Sequence, residues 1–81
     1  MPRPSQRPTE KRLLERFGGG VRKLRENTGL SQEDFAEKVD VHRTYVGMIE
    51  RGEKSPTLGT VAAWARAFGL APSELLKAVG L

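Results

Sequence analysis

Cysteine is absent from the 81-residue chain, and histidine occurs once, as His42. The first absence excludes a disulfide scaffold, a thiolate zinc site and a cysteine nucleophile together. The second makes an active site hard to assemble. With Asp40 as its neighbouring carboxylate, His42 lacks partners at ligand spacing, so neither a metal nor any other cofactor is expected. Aromatic residues are few, three Phe, one Tyr and one Trp. Several of them stand at core positions, which disfavours the stacking platform of an RNA-binding module. No apolar run approaches the roughly 18 residues of a membrane span, and Met1-Pro2-Arg3-Pro4-Ser5 lacks the apolar block of a signal peptide. A cytoplasmic protein is expected, with no membrane partner and no small-molecule substrate. Gly18-Gly19-Gly20 is not a phosphate loop either, because no GxxxxGK[ST] follows.

What the chain has in excess is positive charge: 14 Lys and Arg against 10 Asp and Glu, a formal +4 and an isoelectric point near 10.0. This points to a polyanionic partner. The surplus is concentrated in residues 1–29, where 8 basic groups face 3 acidic ones. A chain of this length is a single domain whose core leaves a thin margin of stability, and oligomerisation commonly supplies the rest. A homodimer is therefore expected. Residues 1–8 carry Pro2, Pro4 and Pro8 with Arg3 and Arg7, and read as an unfolded arm ahead of a domain over residues 9–81.

Within that domain the spacing predicts five helices and no strands. Thr9 reads as a cap and Glu10 as a first-turn acid; Leu14, Phe17, Val21 and Leu24 then form one apolar stripe over residues 10–26. Three glycines inside that helix cost about 0.8–1 kcal/mol each relative to alanine, so a kink or a frayed first half is expected, although glycine also permits close helix packing. Ser31-Gln32-Glu33-Asp34 has the form of a capping box and opens a helix over 32–39, with Phe35, Ala36 and Val39 inward. Asp40-Val41-His42 connects it to a third helix over 43–51, which turns Val46 and Ile49 inward and Arg43, Thr44, Gly47, Met48 and Arg51 outward. After the turn Ser55-Pro56-Thr57, Leu58, Val61, Ala62, Ala65 and Phe68 mark a fourth helix. Pro72 opens a fifth, with Leu75, Leu76 and Val79 inward.

Two short helices joined by a few residues, the second polar at its start, are the outline of a helix-turn-helix. The residues carry the outline further: Gly29-Leu30-Ser31-Gln32-Glu33-Asp34-Phe35-Ala36, then Val41, Val46 and Ile49-Glu50-Arg51-Gly52, then Pro56-Thr57-Leu58 and Ala67-Phe68-Gly69-Leu70. Over about residues 17–77 this resembles the Cro and lambda-repressor type of regulators. The string His42-Arg43-Thr44-Tyr45-Val46 with Ile49-Glu50-Arg51-Gly52 looks most like the controller proteins of restriction-modification systems. The sequence departs from the pattern at Gly19 and Gly20, which are extra, at Asp40, where glycine or asparagine is usual, and at Ala71, where a Ser or Thr cap is usual. The proline-rich arm also precedes the common start.

The resemblance implies an all-α, compact five-helix, lambda repressor-like DNA-binding domain that dimerises through its last two helices. Val61, Trp64, Ala65, Phe68, Leu75, Leu76 and Val79 are then candidates for core or interface. The partner is double-stranded DNA, read as a pseudo-palindromic operator, and the role is transcription control, including that of the protein's own gene. Arg43 can give two hydrogen bonds to guanine O6 and N7, Thr44 a hydrogen bond or a methyl contact, Met48 an apolar contact, and Gly47 close backbone approach. For Arg43 a phosphate contact or a solvated charge is the alternative. Ser31 and Gln32 open the second helix; the family's matching Gln contacts a phosphate, while helix capping is the simpler role for this one. His42 suits a helix cap or a phosphate. Tyr45, Arg51, Lys54, Ser55 and Thr57 suit backbone contacts or are merely solvated. Glu33, Asp34 and Glu37 form an acidic patch, explained either by the helix N-terminus or by the family's use of this surface to touch RNA polymerase. Arg3 and Arg7 reach along a groove or contact nothing. Two regulators of other kinds share these features, an antitoxin of a toxin-antitoxin pair and an orphan or phage-type repressor. An enzyme is the least fitting class.

Overall fold

In a computed structural model, which describes residues 8–81 and side chains from residue 10 onward, five helices and no strand follow one another. α1 spans Pro8–Asn27, α2 Gln32–Lys38, α3 Arg43–Glu50, α4 Leu58–Ala67 and α5 Pro72–Ala78. The expected arm, with Arg3 and Arg7, lies outside the described residues except for Pro8. That residue starts α1 and leaves Thr9, expected as the cap, inside the helix. Proline fits the first turn because its missing N–H would have no intrahelical partner there.

α1 runs unbroken through Gly18-Gly19-Gly20, contrary to the expected kink or fraying. Packing explains the continuity. A Cβ on Gly18 would collide with the Ile49 carbonyl oxygen and come 2.7 Å from that of Glu50, so the missing side chain lets α1 lie against the end of α3. A Cβ on Gly20 would collide with the Val79 side chain and come 2.9 Å from Val79 Cα, just past α5. Gly19, between them, faces open space. Two of the three glycines thus offset their conformational cost by close helix contact.

The helices that carry the motif are short and defined by their caps. Ser31 Oγ accepts the Asp34 N–H at 3.0 Å and starts α2. Asp40 then reverses the chain at φ +58°, a left-handed backbone that accounts for the resemblance's glycine or asparagine at this place. Thr57 Oγ1 accepts the Thr60 N–H at 3.0 Å and starts α4. Ala71 offers no side-chain cap to α5, but the Glu74 carboxylate accepts the Ala71 N–H at 2.7 Å, so half of a capping box remains.

The core is built around Trp64, which stands edge-on to Phe35 at 5.1 Å and to Tyr45 at 6.1 Å between ring centroids. Phe35 stacks in turn on Phe68 at 5.1 Å. Phe17 and Val21 of α1, Ala36 of α2, Val46 and Ile49 of α3, Val61 and Ala65 of α4, and Leu75 and Val79 at α5 complete the buried hydrophobic set. Leu58, the first residue of the apolar repeat that marks α4, is 87% exposed, because it occupies the first helical position, beyond the edge of the core. One expectation needs correction: Leu76 was expected inward and is 37% exposed, since Leu75 takes the position facing the core.

Candidate nucleic-acid interface

α3 presents its N-terminal end to solvent because of what closes it. The His42 ring accepts the Thr44 N–H at Nδ1, 3.1 Å away, and so caps the helix. Arg43 and Thr44 follow immediately, and both are exposed. One turn on, Met48 is half-buried. Gly47 is less open than expected: it is buried, and a Cβ there would come 2.9 Å from Arg51 Nη1. The guanidinium of Arg51, which caps the end of α3, therefore lies over the glycine. Close backbone approach at Gly47 requires Arg51 to swing away.

Two cations at this surface are paired in the free chain. Arg43 Nη1 lies 3.8 Å from Glu33 Oε2 across the turn. Arg51 gives two hydrogen bonds to Glu53, at 2.9 and 3.1 Å. Those bonds hold the Glu53 carboxyl below the usual carboxylate range and raise the Arg51 guanidinium further above neutrality. Lys54 and Ser55 are exposed in the same loop, with Lys54 Nζ 6.0 Å from the centre of the Tyr45 ring. The Tyr45 hydroxyl is 3.2 Å from Thr60 Oγ1, and Thr57 Oγ1 is 3.0 Å from the same atom. Tyr45, half-buried against Trp64, therefore ties α3 to the start of α4. The acids Glu33, Asp34 and Glu37 are all exposed on α2.

Gln32 has a partner that the sequence reading did not anticipate. Its Nε2 donates to Glu50 Oε1 at 2.9 Å. Glu50 is buried and accepts two bonds from the equally buried Arg25, at 2.7 and 3.0 Å. Arg25 Nη1 also donates to the Leu30 carbonyl at 2.9 Å. The hydrogen bonds to Glu50 raise the Arg25 pKa against the opposing effect of burial. One chain of charge-assisted bonds thus joins α1, the turn before α2, the first residue of α2 and the last of α3. A signal for it exists in the sequence: Arg25 stands four residues after Val21, and Glu50 four after Val46, so each inner helix face carries one charge of opposite sign.

Five of the seven residues expected at the core or interface, Val61, Trp64, Ala65, Leu75 and Val79, are buried in the chain's own core. Phe68 is half-buried, and Leu76 is exposed.

The arrangement is a capped helix pair with a short turn, whose second helix offers an arginine and a threonine to solvent. A helix-turn-helix family model matches residues 21–75, from the middle of α1 to the middle of α5. The chain belongs to the helix-turn-helix family. Control protein C.SmaI of Serratia marcescens is 43% identical over 69 residues, 85% of this chain and 82% of that protein. Control protein C.BamHI of Bacillus amyloliquefaciens is 41% identical over 66 residues, 80% and 79% of the two chains. Among solved structures, the restriction-modification controller protein C.AhdI from Aeromonas hydrophila superposes with a TM-score of 0.73 at 40% identity, covering 76% of this chain and 94% of that one. The helix-turn-helix regulator is thus similar to control proteins along most of its length, including α2, the turn and α3.

Proposed function

We propose that the chain is a self-regulating control protein of a restriction-modification system, which binds duplex DNA as a homodimer and acts without a chemical step. The observation that carries this reading is the exposure of Arg43 and Thr44 at the capped N-terminal end of α3, in a helix-turn-helix similar over most of its length to control proteins. That end of α3 enters the major groove, where each base pair shows a distinct pattern of donors and acceptors. Arg43 contacts guanine, Thr44 and Met48 contact bases beside it, and Gly47 joins them once Arg51 turns outward to a phosphate. Ser31, Gln32, His42, Tyr45, Lys54, Ser55 and Thr57 line the sugar-phosphate backbone on either side.

A twofold dimer sets two such helices about 34 Å apart, so the operator is a pseudo-palindrome with half-sites one helical turn apart. The exposed acids Glu33, Asp34 and Glu37 give RNA polymerase a surface beside the bound helix. No helix among the described residues is long and apolar enough to cross a membrane, in keeping with a protein that works on cytoplasmic DNA.

Binding to the duplex directly upstream of the protein's own gene, compared with a scrambled duplex across a salt series, tests the proposal. A preference for the native duplex that persists at high salt is expected, because base contacts do not depend on counterion release. Equal affinity for both duplexes, falling steeply with salt, would overturn it.

A further inference from the structure

The Arg43–Glu33 pair is not needed by the fold. Its side chains are 67% and 75% exposed, and at 3.8 Å it is a loose surface pair of the kind that contributes little to stability. Its position is what distinguishes it. Glu33 is the second residue of α2 and Arg43 the first of α3, so the contact spans the turn at the point where α3 enters the groove. Among the described acids of α2, neither Asp34 nor Glu37 forms an ion pair with Arg43.

The atoms involved matter as well. Glu33 Oε2 approaches Nη1 of the guanidinium. The opposite edge, made by Nε and Nη2, stays free, and its two parallel N–H groups match guanine O6 and N7. An arginine with no such neighbour has a flexible stem and can turn to the nearest phosphate, which carries no sequence information. A carboxylate beside it opposes that motion twice, by attracting the guanidinium on its Nη1 side and by repelling the phosphate.

We infer that Glu33 is a positioning residue for Arg43, turning the free edge of the guanidinium towards one guanine and so setting specificity at a single base pair. This rests on the reading that Arg43 contacts a base, and the test separates the two. Wild type, Arg43→Ala, Glu33→Gln and the double variant are titrated against the native duplex and a set with one half-site base pair changed at a time. Unchanged thermal melting of the exposed-site variants confirms that each is folded.

Arg43→Ala should remove discrimination at one base pair. Glu33→Gln should lower discrimination at that same pair by about 1.5- to fivefold, the range of an exposed ion pair, leave the other positions unchanged, and add nothing in the Arg43→Ala background. Full discrimination in Glu33→Gln, or a loss spread evenly over all positions, would overturn the positioning role while base reading by Arg43 stood. No positional effect of Arg43→Ala would overturn both.

Discussion

The glycines of α1 separate by what each one touches. Gly18 and Gly20 meet the α3 carbonyls and Val79, whereas Gly19 meets nothing. Gly19→Ala should therefore stabilise the domain by about 0.8–1 kcal/mol, the helix propensity difference. Gly18→Ala and Gly20→Ala should each destabilise it by about 1–3 kcal/mol, as side chains do when forced into filled space. Urea unfolding midpoints of the three variants measure this, and equal shifts would contradict the packing explanation. The sequence displayed the three glycines as one low-complexity spot. It could not display the distinction, because the atoms that crowd Gly18 and Gly20 belong to residues some 30 and 60 positions away. The caps were more legible: Ser31 and Thr57 each act within three residues of their own position. So was Arg43, whose exposure follows from the spacing that turns Val46 and Ile49 inward and leaves Arg43 on the outer face of α3.

Between elements, the bonds from Arg25 and Gln32 to Glu50 are the feature the helix-by-helix reading passed over. Apolar periodicity finds a stripe but does not ask what a charge within the stripe is paired with. Removing one partner leaves the other buried and unpaired, at a cost of about 3–5 kcal/mol. Glu50→Ala should accordingly lose most of the stability of so small a domain. Arg25→Met combined with Glu50→Leu should recover much of it, since no buried charge remains. Thermal melts followed by circular dichroism compare the single and double variants. A double variant no more stable than Glu50→Ala would contradict the account of the pair. Gln32 also ties the start of α2 to the last residue of α3, so its side chain bears on how the two helices of the motif are set relative to each other.

At the scale of the whole molecule, the number and order of the helices were legible because each carries its own start and stop signal. The allocation of apolar residues between core and partner was not. Trp64 reads equally as core or as interface, and it fills the centre of the core, because the surrounding helices supply the rest of its cage. With Val61, Trp64, Ala65, Leu75 and Val79 turned inward, we propose that dimerisation through the last two helices falls to Leu58, Leu76 and the half-buried Phe68. Leu58→Asp with Leu76→Asp should leave a folded monomer, with the mass halved in sedimentation equilibrium and melting little changed. Retention of the dimer would place the interface elsewhere.

The central claim is that α3 reads bases through Arg43. The ratio of affinities for the native and scrambled duplexes, measured at one salt concentration for wild type and Arg43→Ala, tests it most directly. The account predicts that the ratio falls about tenfold or more in the variant, within the range of a lost bidentate guanine contact in each half-site, while affinity for the scrambled duplex changes little. An unchanged ratio, with affinity for both duplexes lowered equally, would assign Arg43 to the phosphate backbone and contradict the claim.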